Sequence, residues 1–472
     1  MPLQSEADAS PTSPQPSPPP EAERGRSADL LGTSRTPAAG WFSSLRVYRE
    51  PRLIAVLLMG FSSGLPLALT FATLSFRLAE EGVSRTEIGL FALVGVPYSV
   101  KFLWSPLIDR LPIPLFTSRL GRRRGWALAI QPLLAAAILA LGLADPRTAP
   151  GLTALAALAV AFLSASQDIV IDAYRIELLR PEEQGAGAAA TQWGYRFGML
   201  AASAGALYAA SFAGWRFAYG LMAALMLVGM ATVWLTPEPG GVLPPEALPG
   251  DTALGRVAAW LERAVLAPFR DMLTRRGALT ILAFVVLYKF GDALAGTMSN
   301  PLYVSLGFTK VEVASIGKVY GFTASLAGLA LGGVIVLRLG IMRALLVCGV
   351  LQMLSNLMYA LQAWVGHNVP VLALTIGIEN LTGGMGSAAF VAYLSGLCNI
   401  AFTATQYALL SSLAAVGRTT LSASGGALAD LFGWGPFFLL STLACVPGLA
   451  LLVWIMRERS DPRADATAQG QP

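Results

Sequence analysis

The chain is a succession of long apolar runs joined by short polar connections. The runs predict twelve helices, α1 to α12, at about 53–77, 87–111, 125–144, 152–175, 184–212, 215–236, 277–304, 310–337, 340–363, 369–396, 402–430 and 434–456. Each run spans roughly 20 or more residues, the length that a helix rising about 1.5 Å per residue needs to cross about 30 Å of hydrocarbon. Three stretches fall outside this pattern. Residues 1–46 are rich in Pro, Ser, Ala and acidic residues and lack the apolar core of a signal peptide, so a disordered cytosolic tail is expected there, with α1 an uncleaved anchor. Residues 458–472 form a second tail. Between α6 and α7, 237–276 opens Pro/Gly-rich and then spaces its apolar residues by three and four with arginines on the other face, which predicts a cytosolic linker carrying an interfacial amphipathic helix.

Composition agrees with the pattern. Of the 472 residues 55% are hydrophobic and 13% charged, against about 25% charged in a soluble domain. An all-α membrane protein follows, since a soluble core cannot absorb that much apolar surface. The net charge of +5 does not point to nucleic acid, because the arginines sit in short loops flanking apolar runs. Arg110, Arg119, Arg122, Arg123 and Arg124 follow α2, and Arg256, Arg263, Arg270, Arg275 and Arg276 follow α6, while the opposite loops carry little more than Arg85, Arg147 and Lys310. The positive-inside rule then puts both termini in the cytosol. Cys348, Cys398 and Cys445 lie in or beside apolar runs without ligand spacing, so no disulfide framework, metal site or cofactor is expected.

The halves repeat. Gly82, Ser84, Arg85 and Glu87 recur as Gly307, Thr309, Lys310 and Glu312 at a constant offset, and Arg196 in α5 recurs as Arg418 in α11 at a nearly equal one. Gly333, Arg338, Gly340 and Arg343 form a Gly/Arg loop motif after α8; its counterpart after α2 keeps Asp109, Arg110, Gly121, Arg122 and Arg123. Two parallel six-helix repeats, 47–236 and 277–457, are the signature of the major facilitator fold, which places a substrate site at the midplane between them. A monomer is expected from that fold.

A charge inside the bilayer costs a few kcal/mol or more, so it faces the bundle interior, a partner or water. α3, α6, α9 and α12 carry none in their central turns, as outer supports would. α4, α7 and α10 carry Asp168 and Asp172, Lys289 and Asp292, and Glu379; α2, α5, α8 and α11 carry Lys101, Arg196, Lys318 and Arg418. His367, the only histidine, falls in a predicted outward loop, so proton coupling would fall to Asp168, Asp172, Asp292 or Glu379. Asp172 lies near Arg175 and suits a gate or loop ion pair as well as transport chemistry, and Asp292 and Glu379 suit permanent ion pairs that fix helix packing. Gln167, Gln192, Asn380 and Gln406 could hydrogen-bond a sugar or amide, or simply join helices. Arg196 and Arg418 could clamp a carboxylate, though their near-symmetry also suits a scaffold. Trp104, Trp193, Tyr195, Tyr288 and Tyr393 offer ring faces for a sugar. Gly64 and Pro66 in α1, and Gly383, Gly384 and Gly386 in α10, weaken their helices next to the expected cavity or allow close packing.

With these residues on the page, the chain resembles the AmpG-type anhydromuropeptide permeases. The segments GFSSGLPLALT (60–70), KFLWSPLIDR (101–110), GRRRGW (121–126), SASQDIVIDAY (164–174), GYRFGML (194–200), LYKFGDA (287–293), ENLTGGMG (379–386) and ATQYALLSSLAAVGR (404–418) are similar to that family's patterns and lie in order over about 46–456. The resemblance implies proton-driven import of N-acetylglucosaminyl-1,6-anhydro-N-acetylmuramyl peptides, or the bare disaccharide, across the bacterial inner membrane for peptidoglycan recycling, a flux that also feeds β-lactamase induction where that system exists. It places Gln167 and Asp168 in the family's SQD segment and Asp292 in its YKxGD segment. Substrate, protons and membrane lipid are the expected partners. Carriers of acyl-coenzyme A thioesters or siderophores on the same fold, a membrane-embedded enzyme and a purely signalling membrane protein are the competing readings. The enzyme reading lacks any Ser/His/Asp constellation, metal cluster or phosphate loop.

Overall fold

The computed structural model describes residues 47–83, 91–114, 116–240, 262–275, 277–422 and 424–460, and all regular structure among them is helical. The expected tails at 1–46 and 461–472 and most of the linker lie outside the described residues. α1 runs Pro51–Ala68 and passes through a π-helical turn, Leu69–Thr73, into Leu74–Glu80. α3 is Arg122–Leu143, α4 Pro150–Leu178, α9 Ile341–Val365 and α10 Val369–Gly396. α5 begins as Gln184–Leu200, with a π-turn at Ala201–Gly205. α8 holds a similar turn, Ile316–Gly321, before Phe322–Leu339. α11 is Thr403–Ser422 and α12 is Trp434–Ala444 followed by Val446–Ser460.

Among the described residues nine helices are long and apolar enough to cross a membrane. One of them, Pro181–Leu235, holds both α5 and α6, because Gly214 adopts φ 80°, ψ 171° and turns the chain back. Only glycine occupies that backbone region without strain. α10 spans 28 residues but has a polar middle, Glu379 and Asn380 followed by three glycines. The expected single helix α2 is corrected: from Ala92 onward it is a chain of short pieces, Ala92–Gly95, Val96–Val100, Lys101–Leu103 and Ser105–Arg110. α7 also breaks, into Ala278–Leu287 and Phe290–Ser305, with Lys289 (φ −103°, ψ 7°) between them.

Large apolar side chains are exposed along the helices, including Leu133 and Leu139 on α3, Leu155 and Phe162 on α4, Leu221 and Leu227 on α6, Leu351 and Leu354 on α9, and Leu443 and Trp454 on α12. Such a surface fits hydrocarbon, and every spanning element is a helix that satisfies its own backbone. Inside, the helices press backbone to backbone through glycine. On α1, a Cβ added at Gly60 or Gly64 would overlap the carbonyl of Thr191 or Tyr195 on α5; from the other side, Gly194 and Gly198 face the carbonyls of Leu57 and Phe61. α8 and α10 meet likewise, Gly328 against Leu381, Gly332 against Met385 and Gly384 against Ser325. Small residues four apart let membrane helices approach in this way. Gly64 and Gly384 are thus packing residues, one of the two roles their sequence position left open.

Candidate functional site

Charged side chains form one set in each half, α1–α6 and α7–α12, and Arg196 of α5, within electrostatic reach of Glu379 of α10, links the halves. In the first, Asp168 and Asp172 lie one turn apart on α4, and Lys101 of α2 is within electrostatic reach of both. The Tyr98 hydroxyl sits among Asp168, Ser164 and Thr70, and Asp168 Oδ1 is buried with no hydrogen-bond partner. In the second, Lys289 Nζ lies 3.5 Å from Asp292 Oδ2. Glu379 accepts from Asn380 Nδ2 at 3.0 Å and is within electrostatic reach of Asp292, Lys289 and, from the other half, Arg196. Asp172, Lys289 and Asp292 keep 20%, 17% and 18% of their side-chain surface accessible. None of the three is therefore sealed in the core. Both lysines stand at breaks in their helices, Lys101 in a 3₁₀ turn and Lys289 between the two pieces of α7.

Among the described residues, polar bonds join the halves nearer the Arg-rich end of the helices. Buried Asp109 accepts from Arg123 Nη2 at 2.8 Å and, across the seam, from the Thr405 amide and hydroxyl at 3.2 and 3.1 Å. Arg123 also binds Glu177 at the end of α4, Nη2 to Oε1 at 2.5 Å, and Arg122 stands 3.8 Å from the same carboxylate. Arg175, 3.9 Å from Asp172, donates to Ser395 Oγ at 3.0 Å and covers the Tyr407 ring; Arg110 covers Phe402. Tyr48 donates to Ala330 O at 3.3 Å and stacks on Trp193, whose Nε1 donates to Leu326 O at 2.8 Å. These bonds tie the two halves together toward the Arg-rich end. Just outside it, Glu238 accepts from the amides of Arg123 and Arg124 at the start of α3, and its burial raises its carboxyl above the ordinary range.

The two loop motifs are used differently. After α2, Asp109, Arg110, Arg122 and Arg123 enter the network at the seam, and Gly121 (φ 92°) makes the turn into α3. After α8, Gly340 (φ 75°) makes the turn into α9, Gly333 lets α8 approach Gly185 of α5, Arg338 stands in the last turn of α8, and Arg343 is exposed.

Other expected site residues have structural partners. Tyr288 is buried, donates to Leu345 O at 2.9 Å and stacks on Phe390, so it packs the α7–α9–α10 core. Gln406 binds Asp271 (2.7 Å) and Pro268 O (3.1 Å) of the linker helix Ala267–Leu273, which docks at the start of α11. Trp104 donates to Ser166 Oγ and packs on Phe162. Gln192, Tyr195 and Arg196 are partly accessible on α5. The side chains of Lys318 and Arg418 lie outside those described. Among the described residues no group of three or more His, Cys, Asp or Glu could hold a metal ion.

Gln167 has a local physical cause. Pro66 carries no N–H, so the carbonyl of Ser62, four residues earlier, loses its helical donor. Gln167 Nε2 supplies that donor at 2.9 Å from α4. Gln167→Leu is accordingly expected to lower stability by about 1 kcal/mol, as for interhelical hydrogen bonds generally, read as an earlier thermal transition in detergent. A raised uptake KM with an unchanged transition would instead make Gln167 a substrate ligand.

Sequence reasoning passed over Gln352, Glu177, Thr405, Ser395 and Tyr98, all polar partners within these sets. Glu177 carried a usable signal, an acid at the end of α4 facing an Arg-rich loop. The neutral residues carried none, because only a partner on another helix sets them apart from the other Gln, Ser, Thr and Tyr of the apolar runs.

Residues 53–378 match the Major Facilitator Superfamily domain. The chain is 44% identical over 411 residues to the anhydromuropeptide permease of Escherichia coli (strain K12), covering 87% of this chain and 80% of that one. It is 34% identical over 415 residues to a putative transporter AmpG 4 of Rickettsia conorii, covering 87% and 98%. Among solved structures it shares its fold with the E. coli fucose:proton symporter (TM-score 0.63, 13% identity, 90% of this chain and 100% of that one). The human organic anion transporter MFSD10 is similar too (TM-score 0.60, 17% identity, 88% and 100%). These are transporters, not enzymes, and the apolar helices make this chain a multi-pass membrane protein. The chain belongs to the AmpG-like anhydromuropeptide permease family of the major facilitator superfamily.

Proposed function

We propose that this protein imports N-acetylglucosaminyl-1,6-anhydro-N-acetylmuramyl peptides, or the bare disaccharide, from periplasm to cytosol, driven by the proton gradient. One observation carries the reading: both bundles hold carboxylates and a lysine inside the membrane, on α2, α4, α7 and α10, and Asp172, Lys289 and Asp292 among them keep accessible surface; the reading places them around one space at the seam. A proton entering that space meets Asp168 on one wall and Asp292 and Glu379 on the other. Neutralising an acid removes a charge penalty on closing the space around cargo, so protonation and cargo together favour the closed state, and release of the proton on the other side resets it. The Asn380 amide, Gln192, Tyr195 and the guanidinium of Arg196 offer hydrogen bonds suited to a sugar and its lactyl-peptide chain. With the Arg-rich end in the cytosol, both termini are cytosolic and the Asp109–Arg123–Glu177 network is the inner gate. Bundles at 47–236 and 277–457, the linker at 237–276 and a monomeric state complete the proposal.

Uptake of labelled anhydromuropeptide into proteoliposomes, with and without an imposed proton gradient, tests this. Saturable uptake that becomes concentrative only with the gradient is expected. Absence of uptake by folded protein would overturn the cargo and move the search to acyl-thioester and siderophore carriers on the same fold.

A further inference from the structure

The position of Lys289 is set by a residue that carries no charge. Gln352 lies on α9, a helix whose outer face is apolar, and is only 7% exposed. Lys289 Nζ donates to Gln352 Oε1 at 2.6 Å, whereas Asp292 Oδ2 is 3.5 Å away. An ammonium only donates, so chemistry requires the amide oxygen of Gln352 to face Lys289 and its NH₂ end to point elsewhere. That end lies beside Gly383, which Glu379 also borders. A Cβ added at Gly383 would lie 3.6 Å from Gln352 Nε2 and 3.9 Å from Glu379 Oε1, so both atoms border the same small gap. Gly386 makes the room on the other side, because a Cβ there would overlap Gln352 Oε1 and stand 3.1 Å from Lys289 Nζ.

The other polar groups around Asp292 and Lys289 have their own partners or stand further off. Tyr288 on α7 donates to Leu345 O and offers Lys289 only its ring, 5.9 Å away. Asn356 on α9 donates to Cys445 Sγ of α12, and Cys348 on α9 is within electrostatic reach of Lys289. Glu379 on α10 faces both Asp292 and Lys289, and Arg196 of α5 acts on Glu379.

We propose that Gln352 is a positioning residue that holds the Lys289 ammonium off Asp292 and presents its other end to Glu379, coupling the charge states of the two carboxylates through one side chain. Its part in transport rests on the proton-driven reading; its part in the geometry does not. Without the amide, Asp292 is the strongest acceptor left to Lys289, the pair closes, and an opposite charge in contact favours the ionised carboxylate.

The test uses the full chain in lipid nanodiscs and proteoliposomes, with Gln352→Met, which keeps volume and removes the amide, and Gly386→Ala, which displaces the amide from its other side. Infrared difference spectra follow the protonated-carboxyl band that disappears in Asp292→Asn. In both variants this band is expected to appear at lower pH, with about a tenfold change in proton affinity, and the pH profile of uptake to move toward acid. An unmoved band in either folded variant overturns the proposal, whatever its uptake rate, since a merely structural role would lower abundance or rate alone. If wild-type uptake ignores the proton gradient, the proposed function fails, while the band still decides the role of Gln352.

Discussion

Asp168→Asn and Asp292→Asn are each expected to abolish concentrative uptake while the protein reaches the membrane in normal amount. Both changes conserve shape. Asp292 is partly accessible and an amide there still offers an oxygen to Lys289, while Asp168 Oδ1 is buried with no hydrogen-bond partner, so both variants are expected to fold. What is lost is the option of two charge states. A carrier whose cargo-bound state no longer differs with pH cannot draw on the proton gradient, and the internal-to-external cargo ratio falls to about 1. Counterflow of preloaded cargo separates this from loss of binding, because it needs no net driving force and should persist. Uphill uptake retained by both variants would exclude these carboxylates as coupling sites. The outcome is expected to be asymmetric in detail, since Asp292 has Lys289 at 3.5 Å whereas Asp168 shares Lys101 with Asp172.

Gly194→Val is expected to be the most damaging single change to the fold. The added carbon would meet the carbonyl oxygen of Leu57 and the amide of Phe61, which are helix backbone and cannot rotate away. α1 and α5 would have to separate, undoing the contacts at Gly60, Gly64 and Gly198 together. Overpacking a tight site costs about 1–3 kcal/mol and occasionally more, and here the obstacle is backbone over about two turns of each helix, so the upper end is expected. Gly220→Val is the control: its Cβ would meet nothing within 4 Å. Size-exclusion profiles and thermal unfolding of detergent-solubilised protein should show Gly194→Val aggregated or melting far earlier and Gly220→Val near wild type. Equal behaviour would mean that the close approach of α1 and α5 is not what holds the first bundle together.

The apolar runs alone carried most of the architecture. A segment of some 20 apolar residues has few options other than crossing the bilayer as a helix, because no other local structure satisfies its backbone there. For the same reason the segments that carry charge into the membrane, α2, α4, α5, α7, α8, α10 and α11, could be named in advance. The pairing of Lys289 with Asp292 was also legible, since one helical turn brings the two side chains together.

What the sequence could not carry was everything set by helices meeting at a distance along the chain. The break at Lys289 has no proline beside it and is set by packing, whereas the one at Lys101 lies between Pro97 and Pro106, which open the short pieces on either side of it. Gln167 reads equally as a sugar ligand or a helix staple until Ser62 O is found beside it, and Gln406 until the linker helix is. Sequence by itself thus determined which segments cross the membrane and which carry charge into it, since burial in hydrocarbon is a property each segment meets alone. Tertiary structure decided which of those polar groups are committed to one another and which, such as Asp292 beside Gln352-held Lys289, remain open to water. A hydrogen bond needs both partners within about 3 Å, and residues 60 to 300 positions apart acquire that proximity only when the bundles close.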